Sequence, residues 1–171
     1  AMKLCNDYFA ASYKQTIGCD FFRTTLDITP DDDQQKSVKV ALQLWDIGGQ
    51  SIGSQMIANY LHGADAVVLV YDLTNYQSFQ DLEDWYRLMN RDGQSTAKVM
   101  LIANKSDLKH MRTVSKDKHK SFADENRIMS QEVSAKSGDG VKKAFYLLAA
   151  ETTGIVVGAS AVEAQSTPMP V

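Results

Sequence analysis

A carboxylate, two glycines and an amide follow one another at the end of an apolar strand, in Asp46-Ile-Gly-Gly-Gln50. The carboxylate of Asp46 can accept hydrogen bonds from the water shell of a divalent cation. Gly48 and Gly49 leave backbone N–H groups uncovered, so that an anion can approach them. The amide of Gln50 both donates and accepts hydrogen bonds and can orient a water molecule. Together they predict a phosphate and metal site, although a strand that simply ends in an Asp-Gly turn would carry the same residues.

A second polar segment, Asn104-Lys-Ser-Asp107, ends another apolar strand. Asp107 can accept two parallel hydrogen bonds from adjacent ring and exocyclic N–H groups, an edge that guanine presents and adenine does not. Lys105 can lie along the plane of the base, while Asn104 holds the loop in place. The segment predicts a guanine pocket, and the alternative is a polar strand end with a surface lysine.

Two further loops carry weaker signals. In Ser134-Ala-Lys136 the small side chain of Ala135 lets its backbone N–H reach a carbonyl oxygen such as guanine O6. Thr16 offers a hydroxyl to Mg²⁺ and a backbone N–H to a terminal phosphate, although a surface threonine in a polar loop is the commoner case. Neither loop would predict a nucleotide site alone.

Strands and helices alternate along the chain and must position these loops. The pattern predicts strands at 20–28, 38–46, 66–72, 98–104 and 128–133 and helices at 51–62, 77–90, 115–126 and 141–153. Residues 1–155 are expected to form one domain and 156–171 a disordered tail. An initial hairpin followed by such alternation predicts an α/β fold, with an open, mostly parallel sheet between two helix layers. Ligands bind at the carboxyl ends of the strands in such sheets, where three of the loops fall.

Composition narrows the function classes. The net charge of −3 and the absence of a dense basic block argue against nucleic acid as a partner. Two cysteines and no apolar run of membrane-spanning length indicate a cytoplasmic protein. The three histidines lack the spacing of metal ligands and are expected at the surface or at helix ends.

Four segments together resemble four of the five motif blocks of Ras-like small GTPases. These segments are Lys14–Gly18, Trp45–Gln50, Asn104–Asp107 and Ser134–Lys136. The sequences Ile17-Gly-Cys-Asp-Phe21 and Trp45-Asp-Ile-Gly-Gly-Gln50 are similar to the Rab family. Segments 74–79, 82–85 and 110–113 are most similar to the divergent Rab subgroup numbered twenty-eight. The resemblance implies the three-layer α/β/α fold of P-loop NTPases, with one antiparallel hairpin.

The resemblance also implies a role for each residue. Thr16 would hold Mg²⁺, Asp46 would contact the Mg²⁺ shell through water, Gly49 would donate its N–H to the γ-phosphate, and Gln50 would orient the attacking water. The residues that would bind the guanine base are Asn104, Lys105, Asp107, Ser134, Ala135 and Lys136.

The function implied is a Rab-like switch that binds GTP and GDP with Mg²⁺, hydrolyses GTP and recruits effectors in vesicle trafficking. Its partners would be effector, exchange-factor and GTPase-activating proteins, which would meet Ile17, Phe21, Trp45 and Tyr60. The sequence leaves open whether these aromatic side chains are exposed or packed. The protein would be cytoplasmic and peripheral on intracellular membranes in a full-length form, but this chain ends without the cysteine that prenylation requires.

One motif block, Gly-x-x-x-x-Gly-Lys-Ser/Thr, is missing, together with the central strand that precedes it in this fold. Its charge-assisted hydrogen bonds would amount to about 10 kcal/mol, which could reduce a nanomolar affinity to near-millimolar. We therefore expect unpaired strand edges, poor folding and weak or absent GTP hydrolysis in this chain as it stands. The alternative function is a nucleotide-independent binding module that keeps the effector surface.

Overall fold

The computed structural model describes residues 1–10, 15–32, 35–52, 56–90 and 96–166. Within these ranges the strands are β1 (Cys19–Ile28), β2 (Val38–Ile47), β3 (Ala66–Asp72), β4 (Lys98–Asn104) and β5 (Met129–Glu132). The helices are α1 (Met2–Asn6), α2 (Met56–Leu61), α3 (Tyr76–Gln80), α4 (Leu82–Met89), α5 (Lys116–Asn126), α6 (Val141–Thr153) and α7 (Ala159–Ala164). Short 3-10 turns follow β2 at Gly49–Ser51 and β4 at Ser106–Met111. None of these helices is long and apolar enough to cross a membrane.

Strands β1 and β2 form the predicted antiparallel hairpin. Phe21 lies opposite Trp45, and Phe22 lies opposite Leu44. Successive side chains of a strand point to opposite faces of the sheet. The face that carries Leu26 packs against α6, whereas the face that carries Phe21 and Trp45 is exposed. The period-two pattern of the sequence therefore predicted this hairpin correctly.

Strands β3, β4 and β5 form a parallel sheet with β4 in the centre. Met100 and Leu101 of β4 are both fully buried although they point to opposite faces. Leu101 shares an apolar cluster with Leu82 of α4 and Ala123 of α5, and Met100 shares another with Ala144 of α6. Because helices cover both faces, the central strand is apolar from Val99 to Ala103, as the sequence predicted.

Among the described residues no hydrogen-bonded pairing joins the hairpin to the parallel sheet. Helix α6 connects the two, because Leu42 of β2 packs against a cluster that includes both Leu148 of α6 and Ile102 of β4. Val70 in β3 is 55% exposed, although Leu69 and Tyr71 beside it are buried. The predicted α/β fold is confirmed, with its sheet divided into a hairpin and a parallel part.

The predicted disordered tail over 156–171 differs from the structure as far as residue 166. Helix α7 lies within it, and Val157 and Val162 pack against the cluster that the hairpin forms with α6. The backbone N–H of Asp31 donates to the carbonyl of Val156 at 3.0 Å. Burial of these valines opposes the loss of chain entropy that favours disorder. Residues 167–171 lie outside the described part of the chain.

His119 is buried within α5, whereas the sequence predicted a position at the surface or at a helix end. Its Nδ1 lies 3.0 Å from the hydroxyl oxygen of Tyr71, so α5 is hydrogen-bonded to β3. Burial lowers the pKa of His119, an effect that the charge of Glu132 opposes and that of Arg112 reinforces. The folded protein therefore favours the neutral imidazole.

Acidification should weaken the protein through His119. A lowered folded-state pKa means that the unfolded chain binds the proton first, so stability is complete above about pH 6.5 and falls as the pH drops towards the folded pKa. Between about pH 7.5 and about pH 5.5, urea unfolding should show a larger loss of stability in the wild type than in His119→Gln. His110→Gln, at an exposed position, should keep the wild-type slope, and equal slopes in all three proteins would contradict the prediction.

Candidate functional site

The loops that follow β4 and β5 lie at one rim of the molecule because the two strands are parallel and adjacent. Helix α6 begins at the same rim. A Cβ atom at Gly140, the residue before α6, would lie 2.8 Å from the carbonyl oxygen of Glu132, the last residue of β5. Segments Asn104–Asp107 and Ser134–Lys136 therefore meet near the start of α6.

The hairpin orients its own loops towards this rim. Val40, early in β2, packs in the cluster that contains Ala149 and Ala150 from the second half of α6. Leu44, near the end of β2, packs in the cluster that contains Val141 at the start of α6. Strand β2 thus runs antiparallel to α6 and ends at the rim where α6 begins. Because β1 is antiparallel to β2, the loop before β1 lies there too.

The loop that contains Thr16 packs directly on the glycines after β2. The N–H of Gly48 donates to the carbonyl of Gly18 at 2.9 Å. A Cβ atom at Gly48 would overlap the carbonyl oxygen of Thr16, so only glycine fits there. Gly49 faces open space, and Gln50 is exposed. The amide of Gly48 is thus engaged within the protein, while Gly49 and Gln50 face outwards.

Two aspartates lie side by side where the hairpin reaches the rim. Asp46 of β2 is directly opposite Asp20 of β1 in the strand register. Burial raises the pKa of the Cys19 thiol, and the charges of Asp46 and Asp20 raise it further. Mg²⁺ takes oxygen ligands and keeps several waters, and the hydroxyl of Thr16 and the carboxylate of Asp46 fit these requirements. Within the described ranges, no three His, Cys, Asp or Glu side chains lie close enough to hold a metal by themselves.

Hydrogen bonds join the loops after β4 and β5. The N–H of Ala135 donates to Oδ1 of Asn104 at 3.1 Å, and the hydroxyl of Ser134 donates to Oδ1 of Asp107 at 2.6 Å. The hydroxyl of Ser134 also accepts from the N–H of Ser137 at 3.1 Å. The structure brings these residues together, and the N–H of Ala135, which we expected to face a ligand carbonyl, donates to Asn104.

The sequence matches the Ras family over residues 1–153. The chain belongs to the Ras family. It is 39% identical over 165 residues to "Ras-related protein Rab-28" of Caenorhabditis elegans. The aligned region is 95% of this chain and 64% of that protein. It is 33% identical over 172 residues to "Ras-related protein RGP2" of Oryza sativa subsp. japonica, with 98% and 76% covered.

A third relative is "GTP-binding protein YPTM2" of Zea mays, which is 33% identical over 149 residues, with 87% of this chain and 70% of that protein covered. The resemblance to Ras-like and Rab proteins that the motifs predicted is therefore confirmed. The chain spans less than two thirds of the length of the Caenorhabditis elegans relative.

Asp72, which no sequence pattern singled out, lies beside the loop after β4. Its Oδ2 lies 2.6 Å from Nζ of Lys105. Burial alone would raise the pKa of Asp72, but hydrogen bonds from Lys105 and Thr74 leave that pKa below its ordinary value. Asp72 is the last residue of β3, as Asn104 is of β4. This position at a strand end could have identified Asp72 from the sequence.

The aromatic residues of the Ras-family hairpin form an outward surface. The ring centroids of Phe21 and Trp45 are 4.5 Å apart, edge to face, and those of Trp45 and Tyr60 are 5.7 Å apart. Phe21 is 64% exposed, Trp45 47% and Ile17 93%, while Tyr60 is half-buried. A shallow cavity of about 270 Å³ adjoins them, lined by Phe21, Phe22, Arg23, Gln43, Leu44 and Trp45. The question that the sequence left open is thus answered: Phe21 and Trp45 are both packed together and exposed.

Proposed function

We propose that this chain is a Rab-type module that binds guanine nucleotide with Mg²⁺ at the rim where the four loops meet. The observation that carries the proposal is the pair of cross-loop hydrogen bonds, Ala135 to Asn104 and Ser134 to Asp107. A carboxylate oxygen accepts more than one hydrogen bond, so Asp107 can hold Ser134 and still receive two N–H groups of guanine. Such a junction pre-organises a base pocket before any ligand arrives.

The residues at the hairpin end would act on the phosphates. Thr16 would offer its hydroxyl to the cation and Gly49 its N–H to the terminal phosphate, with Asp46 acting through a water molecule. Gln50 would orient the water that attacks the γ-phosphate, its amide oxygen accepting from that water. Bound Mg²⁺ would neutralise charge on the phosphate oxygens. In this way the rim would support conversion of GTP to GDP, the reaction of a molecular switch.

Partner binding completes the proposal. The exposed Ile17, Phe21 and Trp45 surface lies on the hairpin whose ends also carry Thr16 and Asp46. A change in the phosphates would therefore reach the surface that effector, exchange-factor and GTPase-activating proteins would bind. Recruitment of effectors in vesicle trafficking is the role that fits a Rab-like chain.

Direct titration tests nucleotide binding. With Mg²⁺ present, NMR titration of the 171-residue chain should show that GDP binds at least ~10-fold more tightly than ADP, because Asp107 matches the guanine edge and repels the adenine edge. We expect a dissociation constant of ~1 mM for GDP, since the sequence lacks the Gly-Lys-Ser/Thr phosphate block. Equal binding of the two nucleotides, or none, would contradict the proposal.

A nucleotide-independent binding module is the second candidate, because Trp45 packs against both Phe21 and Tyr60. Trp45 fluorescence in a Trp85→Phe background separates the two. A switch should change Trp45 emission on saturation with GDP, because Asp46 is its chain neighbour. A folded chain that neither selects GDP nor changes its emission would favour the module.

A further inference from the structure

The carboxylate of Asp72 is held on both oxygens. Oδ1 accepts from the backbone N–H of Thr74 at 2.9 Å and from its hydroxyl at 2.7 Å. Oδ2 lies 2.6 Å from Nζ of Lys105. The backbone N–H of Asp72 also donates to the hydroxyl of Ser78 at 3.0 Å. Because the two Thr74 bonds fix the orientation of the carboxylate, they also fix the position of Oδ2 and, through it, that of the Lys105 ammonium group.

Lys105 reaches this place through an unusual backbone conformation. Its φ of 67° is in the left-handed region, which non-glycine residues adopt at a cost. Two other described non-glycine residues share a positive φ, Asp7 and Arg127, and both follow the last residue of a helix, where that conformation is common. Lys105 instead follows a strand. Its conformation therefore needs another explanation, and the contact with Asp72 provides one.

Stability does not account for this arrangement. The side chain of Lys105 is 49% exposed and that of Asp72 is 23% exposed, so water reaches the ammonium group and screens the pair, which limits its contribution to folding. A comparable pair, Lys98 and Glu151, lies at 2.9 Å near the start of β4 and serves as a reference for such contacts. The pair of Asp72 and Lys105 differs in its position, since the strand register places Asp72 beside Asn104, where the loop after β4 begins.

We propose that Asp72 is a positioning residue of the base site, which holds Lys105 so that its methylene chain lies across the ends of β3 and β4. There the chain forms one wall of the pocket against the flat face of a guanine ring, while Asp107 binds the edge of that ring. The inference rests on the proposed function, because it assigns a role within the same nucleotide site. In this proposal Asp72 holds Lys105 and does not itself contact the nucleotide.

A double-mutant cycle measured by GDP titration tests this coupling. Asp72→Asn should raise the dissociation constant for GDP about tenfold, because the neutral amide no longer holds the ammonium group. Lys105→Met should raise it by at least as much, and the double variant should bind no more weakly than Lys105→Met alone. Glu151→Gln, which breaks the reference ion pair away from the rim, should leave the constant unchanged.

A second readout does not depend on a ligand. In ¹⁵N relaxation measurements on the nucleotide-free chain, the ammonium group of Lys105 should be restricted in the wild type and freely rotating in Asp72→Asn. If Asp72→Asn does not fold, Thr74→Val, which removes one hydrogen bond to the carboxylate and keeps its charge, should give a smaller change in the same direction.

The outcomes separate the two proposals. If the wild type selects GDP over ADP but the effects of Asp72→Asn and Lys105→Met are additive, the positioning role is wrong and the proposed function stands. A Lys105 ammonium group as mobile in the wild type as in Asp72→Asn would also overturn the positioning role. A wild type that does not select GDP would overturn the proposed function and this inference with it.

Discussion

Asp107→Asn should abolish the preference of this chain for GDP over ADP. The substitution removes a carboxylate that would accept two hydrogen bonds from guanine, and each such bond to a charged group is worth about 1.5–3 kcal/mol. The dissociation constant for GDP should therefore rise at least ~10-fold, to the value for ADP, while ADP binding should change little. Ser134 can still donate to the amide oxygen of an asparagine, so the junction between the two loops should remain. NMR titration with both nucleotides measures the effect.

Two comparisons make the Asp107 result specific. Asp124→Asn changes the same side chain at an exposed position on α5 and should bind GDP like the wild type. Inosine diphosphate lacks the exocyclic amine of guanine, so the wild type should bind it more weakly than GDP. Retained selectivity in Asp107→Asn would show that Asp107 does not read the base, and the guanine assignment would then be wrong.

Local patterns in the sequence were sufficient for several elements. The apolar run at β3 and the periodic pattern at α6 gave the bounds Ala66–Asp72 and Val141–Thr153, as the structure has them. Each is bounded by a strong signal, such as Gly154, which ends α6 with a φ of 71°. Elements whose ends are marked by chemistry within a few residues are predictable from those residues alone.

Contacts between distant segments were harder to predict. Tyr71, which hydrogen-bonds His119, lies 48 residues away in the sequence. The residues around His119 carry no pattern that predicts this contact. The contact between Asp72 and Lys105 likewise depends on the register of two strands and on a left-handed backbone at Lys105. Burial of α7 depends on an apolar surface assembled from the hairpin and α6. The meeting of the loops after β4 and β5 at one rim was predictable, because it follows from parallel strands, but their hydrogen bonds were not.

Leu101→Ala should cost about 2–5 kcal/mol of unfolding free energy, the range found when a buried leucine is truncated. Leu101 is fully buried on the central strand, opposite Leu69 and in one cluster with Leu82 and Ala123. Helices α4 and α5 cannot both close on the space that the side chain leaves, so we expect the upper part of that range. Urea denaturation followed by circular dichroism should show it, with a fall in Tm of roughly 10 °C.

Val70→Ala is the control that makes the Leu101 result informative about the divided sheet. Val70 follows Leu69 on β3 and pairs with Ile102, but its side chain is 55% exposed, so its truncation should change stability by no more than about 0.5 kcal/mol. In a sheet that was continuous from the hairpin to β5, the same valine would be covered and would resemble Leu101. A large loss of unfolding free energy in Val70→Ala would therefore show that β3 is covered in solution. If the losses in Val70→Ala and Leu101→Ala differed by less than about 1 kcal/mol, the divided sheet would be contradicted.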